Sequence, residues 1–326
     1  MSGYLALAPA APRDYSACSG CSLCLLVCPS WRCSHDPGLT PEGLAKALQC
    51  GAAVAQLAGP IEACSLCGAC DVVCPEGIDL SGLIVELRRQ LPRLVVMDDA
   101  DTRLQQAMEP RAGDSVASKS AALLLPGADL RADTALLARV KSLLGAFVVD
   151  DDGADIALAL ETGIEIPQQR LQQFLAPLRG RTLVAADGLL LRYLRRWLPG
   201  SRRAGLGTAL SSMASVRGRL AASDLYVIEP RAYHADYERL VTYYDKLKQE
   251  TGCTLNLDLQ RIAIPAVAQS LPQKLGRVAS DNAMQTRWIL QRRKPDRIVV
   301  ESLADCAAFQ QVCDIPVVHL ADLAKD

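Results

Sequence analysis

The sequence predicts a two-part chain: a small helical, cysteine-ligated N-terminal domain, then a parallel α/β region whose element order occurs twice. Three observations predict it. Eight of the thirteen cysteines form two copies of one run, Cys18-x2-Cys21-x2-Cys24-x3-Cys28-Pro29 and Cys64-x2-Cys67-x2-Cys70-x3-Cys74-Pro75. The residues between and after these runs carry helical rather than strand periodicity. From Ala121 onward, short apolar runs alternate with amphipathic stretches, as strands and helices do in parallel layers.

The cysteine spacing is that by which bacterial ferredoxins supply thiolates to a cubane [4Fe–4S] cluster. Three cysteines at intervals of three lie on a tight, partly helical loop, so their sulfurs converge on one cube. Soft thiolates suit iron–sulfur clusters better than hard cations. The fourth cysteine points away from its own loop, and in two-cluster ferredoxins it ligates the other cluster. This assigns Cys18, Cys21, Cys24 and Cys74 to cluster 1, and Cys64, Cys67, Cys70 and Cys28 to cluster 2. Pro29 and Pro75 push the preceding residue towards extended geometry and end each loop. A single CxxC reads as a zinc site or a redox dithiol. Eight cysteines in two identical runs fit neither, because a structural zinc site needs only four ligands. Two [4Fe–4S] clusters are the expected cofactors, and electron transfer is the first function to consider.

Residues 1–92 form the predicted cluster domain. Between the runs, Thr40-Pro41-Glu42 is a helix start, and Leu44, Ala47, Leu48, Val54 and Leu57 supply an apolar face. Leu80 to Leu91 also reads as helix, capped by Asp79 or Ser81. Two cluster loops set among helices resemble the α-helical ferredoxin domain rather than the small β-hairpin ferredoxin. Cys33 and Cys50, outside both runs, read as buried small apolar residues. Residues 93–118, with Asp98, Asp99, Asp101, Pro110, Gly113 and Ser115, read as a linker containing one short helical segment around Arg103 to Met108.

The α/β region divides into residues 119–222 and 223–326. The first half offers AALLL, a helix around Asp133–Leu144, FVV, a helix around Gln168–Leu178, TLVAA, and a helix around Leu189–Leu198. A Gly/Ser/Arg-rich connector (200–222) follows. The second half offers DLYVIE, a helix from about Ala235 to Glu250, TLNLDL, a helix around Asn282–Arg293, RIVVE, a helix near Ala304–Val312, and PVVHL. The repeated order predicts a pseudo-duplicated domain.

Composition narrows the function. The net charge of −1 favours neither nucleic acid nor an anionic membrane surface. No stretch approaches the roughly 18 to 20 apolar residues of a spanning helix. The N-terminus lacks a charged start and a full apolar core, making it a poor signal peptide. Reduced thiolates favour the cytoplasm, so any membrane association is expected to run through a partner. Gly205-Leu206-Gly207 follows no expected strand and lacks a third glycine, so no dinucleotide fingerprint is read. Neither a phosphate-cradling lysine loop nor a nucleophile triad is present.

The paired runs followed by two α/β halves resemble the family of the glycolate oxidase iron–sulfur subunit and of the C- plus B-type, or fused D-type, subunits of heterodisulfide reductase. That resemblance implies a Cys-Cys-Gly motif and a CP-x-C element in each half, holding further iron–sulfur chemistry. Here Asp150-Asp151-Asp152-Gly153 stands where the family has Cys-Cys-Gly. Tyr233-His234-Ala235-Asp236 resembles the family's YHDPC element without its cysteine. Ile298-Val299-Val300-Glu301-Ser302-x2-Asp305 stands where a strand precedes CP-x-C, and Pro316 to Leu323 resembles the closing strand and helix. Cys253, Cys306 and Cys313 are scattered; the last two, seven apart, are expected on one helix face in the core. Asp151 and Asp152 are poor replacements for thiolates and read as a solvated turn. The expected second domain is therefore a degenerate CCG-like one without noncubane clusters.

Some residues have two readings. His234 is a remnant of an active-site element or a cap or loop residue. Tyr233, Tyr237, Tyr243 and Tyr244 serve packing or an interface. Arg192–Arg203 docks an acidic partner or forms a solvated helix face.

The expected function is an electron-transfer subunit without catalytic residues of its own. It would relay single electrons between a partner dehydrogenase, a flavoprotein, and a downstream acceptor such as a quinone-linked or cytochrome subunit. The alternatives are a catalytic subunit of heterodisulfide reductase type and a redox-sensing or assembly scaffold.

Overall fold

The computed structural model describes residues 14–91, 122–258 and 260–324. The linker expected at 93–118, with its short helical segment, lies outside the described residues. In the N-terminal domain the helix expected after Thr40 runs Pro41–Gln49, and Thr40 Oγ1 accepts from the Gly43 amide at 3.1 Å. Helix Leu80–Gln90 is capped by Asp79, which accepts from the Gly82 amide at 3.0 Å. Ser81, the other expected cap, instead donates its amide and hydroxyl to Asp71, at 2.9 and 2.5 Å. Each cysteine run contributes one short helix, Leu23–Val27 and Ala69–Val73, and the two pack together.

The α/β region holds two four-stranded sheets. Strands β1 (Leu123–Leu125), β2 (Phe147–Val148), β3 (Thr182–Ala185) and β4 (Arg202–Gly205) form the first, in the order β2-β1-β3-β4. Strands β5 (Asp224–Val227), β6 (Thr254–Leu255), β7 (Arg297–Val300) and β8 (Val317–His319) form the second, in the order β6-β5-β7-β8. The same order thus occurs twice, and every pairing is parallel. Helices cover the faces, so the central strands are apolar on both sides rather than alternating.

Alternate residues of one strand face different cores. Leu123, Leu125 and Leu183 join Ile84, Val85 and Leu87 of the N-terminal domain. Leu124 and Val184 point the other way and pack with Tyr226 and Val299, so one core is shared by both sheets. Leu225, Val227, Ile298 and Val300 close the far side with Phe309.

Several expectations change. The stretch 200–222 is not a plain connector, since β4 lies inside it. As an edge strand pairing only with β3 it needs no apolar run, and Arg202-Arg203-Ala204-Gly205 has none. Gly205-Leu206-Gly207 therefore does follow a strand. TLNLDL pairs only at Thr254–Leu255, after which the chain turns back through an antiparallel bridge between Leu257 and Ala263. Helices Gly127–Ala132 and Ala154–Thr162 were not anticipated. Cys33 and Cys50 are exposed, not buried, because both sit at the ends of short helices, where side chains turn outward. Cys306 and Cys313 do flank the core of the second sheet, but Cys313 lies beyond helix Leu303–Gln310.

Gly207 shows how tightly the two halves meet. A methyl group there would overlap the Glu301 carboxyl. That carboxyl is fixed by the Tyr226 and Tyr244 hydroxyls, both at 2.6 Å, and by the Glu229 amide at 2.8 Å. Gly207→Ala is expected to cost about 1–3 kcal/mol in chemical denaturation, as overpacking does. Shortening the opposing side chain in Gly207→Ala/Glu301→Asp should return part of that loss.

Candidate functional site

The two cysteine runs share one backbone conformation. Gly20 and Ser22 lie between the first three cysteines of one run, Leu66 and Gly68 between those of the other. All four have left-handed backbones, with φ of 78°, 62°, 54° and 76°. Alternation of right- and left-handed residues gathers successive amides into a concave nest that suits an anionic phosphate or iron–sulfur group. Two of the four positions are not glycine, at a cost of about 1–2 kcal/mol each. The Leu66 amide donates to Cys64 Sγ at 3.4 Å.

Beside each nest is a small cavity. One is lined by Cys18, Cys21, Cys24 and Cys74, the other by Cys28, Cys64, Cys67 and Cys70. Each cavity takes three cysteines from one run and the fourth from the other. Among the described residues no three His, Cys, Asp or Glu side chains are arranged to hold a single metal ion. The donor chemistry, four soft thiols around a concave nest, fits an iron–sulfur cluster. Burial, with Glu42 adding to it, pushes the Cys24 thiol up to about 12, and burial pushes Cys64 to about 12. Burial also raises Cys28, Cys67 and Cys70. These thiols stay protonated until a metal displaces their protons.

The two sets differ in setting. Cys21 is exposed, Cys18 and Cys74 are half-buried and Cys24 is buried, whereas Cys28, Cys67 and Cys70 are buried and Cys64 is half-buried. Leu26, 57% exposed, and Leu23 form an exposed apolar pair on helix Leu23–Val27, which carries Cys24. Lys46 Nζ and Gln49 Nε2 donate to the Cys18 carbonyl at 2.8 and 3.0 Å, holding the first loop from helix Pro41–Gln49.

The second loop is held at three of its carbonyls by side chains of helices Leu80–Gln90 and Pro230–Ala235. Arg88 donates to Cys64 at 2.5 Å, Arg231 to Ser65 at 2.5 Å, and His234 Nδ1 to Cys67 at 2.7 Å. His234 Nε2 accepts from the Ala263 amide at 3.2 Å, so Nδ1 carries the proton. Burial, helped by the nearby Arg192 charge, lowers this imidazole to about 4. Of the two readings for His234, the structure gives neither catalysis nor a loop cap. It is a neutral strut between the second half and the cysteine loop. Tyr233 and Tyr244 are fully buried and meet edge-on as packing residues, whereas Tyr237 and Tyr243 are half-buried.

Arg88 and Arg231 converge on one carboxylate, Glu161. Arg231 Nη1 and Nη2 donate to it at 2.7 and 3.1 Å, Lys274 Nζ at 2.6 Å, and Arg88 Nη1 lies 3.8 Å away. Arg88 also donates to the Glu161 carbonyl at 2.5 Å. Burial alone would raise the Glu161 carboxyl, but Arg231 and Lys274, then Arg88, outweigh it and hold it at about 2. Sequence reasoning missed all four residues. A signal existed for Arg88, which falls four residues after Ile84 on the apolar face of its helix.

The basic stretch is partly tied down by ion pairs, while Arg196 and Arg202 remain exposed. Arg192 bonds Asp71 at 2.7 Å and Asp79 at 2.5 Å, Arg196 bonds Asp79, and Arg195 bonds Asp236 at 2.9 Å. It clamps helix Gly188–Trp197 to the cysteine domain. Asp151 and Asp152 do not form a solvated turn either. Asp151 takes a two-pronged bond from buried Arg170, at 2.7 and 2.8 Å, and Asp152 pairs with Arg131 at 3.0 Å.

Residues 14–78 match the family described as a 4Fe-4S dicluster domain. Over 100 residues the chain is 35% identical to the uncharacterized electron transport protein YkgF of Escherichia coli (strain K12), covering 28% of this chain. The match spans 20% of the length of that relative. No solved structure matches. The N-terminal domain thus matches a 4Fe-4S dicluster domain, and part of the chain is similar to one electron transport protein. Among the described residues no helix is long and apolar enough to cross a membrane.

Because the Glu161 carboxyl is depressed from 4.5 to about 2 on folding, its contribution is fully present above pH 4.5. That contribution fades as pH falls towards 2. Glu161→Gln leaves three cations without their anion and should cost about 3–5 kcal/mol at neutral pH. Denaturation curves from pH 6 down to about pH 2 should fall less steeply for the variant than for the parent.

Proposed function

We propose that this chain is the electron-transfer subunit of an oxidoreductase complex. In this reading it carries two [4Fe–4S] clusters, one on Cys18, Cys21, Cys24 and Cys74 and one on Cys64, Cys67, Cys70 and Cys28. The observation that carries the reading is the pair of crossed four-cysteine cavities, each beside a nest of backbone amides. Bound clusters supply reversible one-electron transfer, and the protein supplies position, burial and hydrogen bonds. Helices Leu23–Val27 and Ala69–Val73 pack together and so bring the two cysteine sets within one small domain. The more exposed first set, with Leu23 and Leu26 on the helix that carries Cys24, is the port for a partner dehydrogenase, a flavoprotein in this reading. The more buried second set is tied through Arg88, Arg231 and His234 to the α/β region, which serves as scaffold and docking module towards the downstream acceptor. The α/β region is read as a degenerate relative of the CCG domains. A catalytic subunit of heterodisulfide reductase type would need thiols where this chain has Asp151 and Asp152, each already bound to an arginine.

The reconstituted chain should contain about eight irons; clearly more would revive a third cluster and the catalytic alternative. Crossed ligation predicts that Cys28→Ala disturbs the spectrum of the cluster on the second run, and Cys74→Ala that of the first. A Cys28→Ala protein whose first-run cluster alone is perturbed would show the assignment to be wrong. At the port, Leu26→Glu should slow reduction by the copurified partner roughly tenfold through weaker docking. Iron content and chemical reduction should be unchanged.

A further inference from the structure

A cavity of about 700 Å³ lies where the carboxyl ends of the two sheets meet, the edge at which parallel α/β sheets hold ligands. Its size suits a small molecule. Leu125, Leu158, Leu190 and Val267 give it an apolar wall, and Ser65 and Cys67 place it against the second cysteine loop.

The charges of the wall are unevenly matched. Its two cations, Arg231 and Lys274, are both engaged by Glu161. Asp152 and Asp155 are bound by Arg131 and Arg170. His319 accepts from the Ala321 amide at Nδ1 and donates from Nε2 to the Glu301 carbonyl, both at 3.2 Å, so neither nitrogen is free. Glu229, Glu301 and Asp305 also line the cavity, and among the described residues none of them forms an ion pair. Glu229 and Glu301 are satisfied by amides and tyrosine hydroxyls. Asp305 is not: it is 4% exposed, and its Oδ2 has no hydrogen-bond partner among the described residues. A buried carboxyl oxygen left open on a cavity wall points to a donor supplied from outside.

The helix ends that face this edge would favour an anion. Asp187 and Glu229 cap the helices that begin at Gly188 and Pro230, and Asp129, Asp155 and Asp305 lie in the first turns of those that begin at Gly127, Ala154 and Leu303, so the protein's own carboxylates occupy these ends. Burial, and then Glu229 and Glu301, raise the Asp305 carboxyl well above its ordinary range. A bound anion would push that carboxyl up further, whereas a bound cation would favour its charged form.

We propose that this cavity binds a small organic molecule whose apolar body carries a protonated nitrogen, an ammonium or amidinium, which donates to Asp305 beside Glu229 and Glu301. The inference does not depend on the relay reading.

The test is calorimetric titration of the full-length, iron-loaded chain with phenethylammonium, and with phenethyl alcohol and 3-phenylpropanoate as neutral and anionic counterparts. The expected result is one site per chain, with the ammonium binding roughly tenfold or more tighter than the alcohol and no binding of the carboxylate. Asp305→Asn should weaken the ammonium roughly tenfold or more while leaving iron content and the melting profile unchanged. Leu158→Trp, at a partly exposed wall position, should weaken it as well and serves if Asp305→Asn does not fold. Equal affinity for all three compounds, preference for the carboxylate, absence of ammonium binding, or unchanged affinity in the folded variants overturns the proposal.

Discussion

The Glu161 carboxylate is the constraint on which the arrangement of this protein depends. It sits on helix Ala154–Thr162 in the first half, and its cationic partners come from elsewhere: Arg88 from the cysteine domain, Arg231 and Lys274 from the second half. Three parts of the chain therefore meet at one buried charge. A buried ion pair contributes little when compared with a well-packed apolar substitute, but breaking it is costly. Its value here is positional. The same two arginines that bind Glu161 also hold the carbonyls of Cys64 and Ser65, so the second cysteine loop takes its place jointly from its own domain and from the α/β region.

This produces an asymmetry between two loops of the same backbone shape. The first loop is steadied by Lys46 and Gln49, side chains of its own domain that reach the surface. The second is steadied by Arg88 and His234, both buried, and by the half-buried Arg231. Cluster potential follows solvent exposure and local charge, so equal ligand sets in these unequal settings would differ in potential. An asymmetric pair gives a relay a direction that two identical sites could not.

Chemistry that is local in sequence was legible in the sequence. The cysteine spacing led directly to two crossed cavities, because ligands three residues apart are fixed by one turn of chain. The starts at Thr40 and Asp79 were readable from cap chemistry, and the central strands from uninterrupted apolar runs. Edge strand β4 was not, since pairing on one side alone lets Arg202 and Arg203 occupy it. Nor were Glu161, Arg231 and the clamp of Arg192, whose partners lie 70 or more residues away. A lone charge in a sequence does not announce its counter-ion. Asp151 and Asp152 looked like a solvated turn for the same reason, with Arg170 and Arg131 out of view.

The clamp of Arg192 on Asp71 and Asp79 sets how the protein should respond to ionic strength. Its side chains are only 13–16% exposed. Salt screens exposed charges over a Debye length of about 8 Å at physiological strength and reaches partly buried pairs far less. Raising the salt would therefore loosen contacts made by charges on the outer surface and leave the cysteine domain seated on the first sheet. High salt can strip this chain from its surroundings without taking it apart.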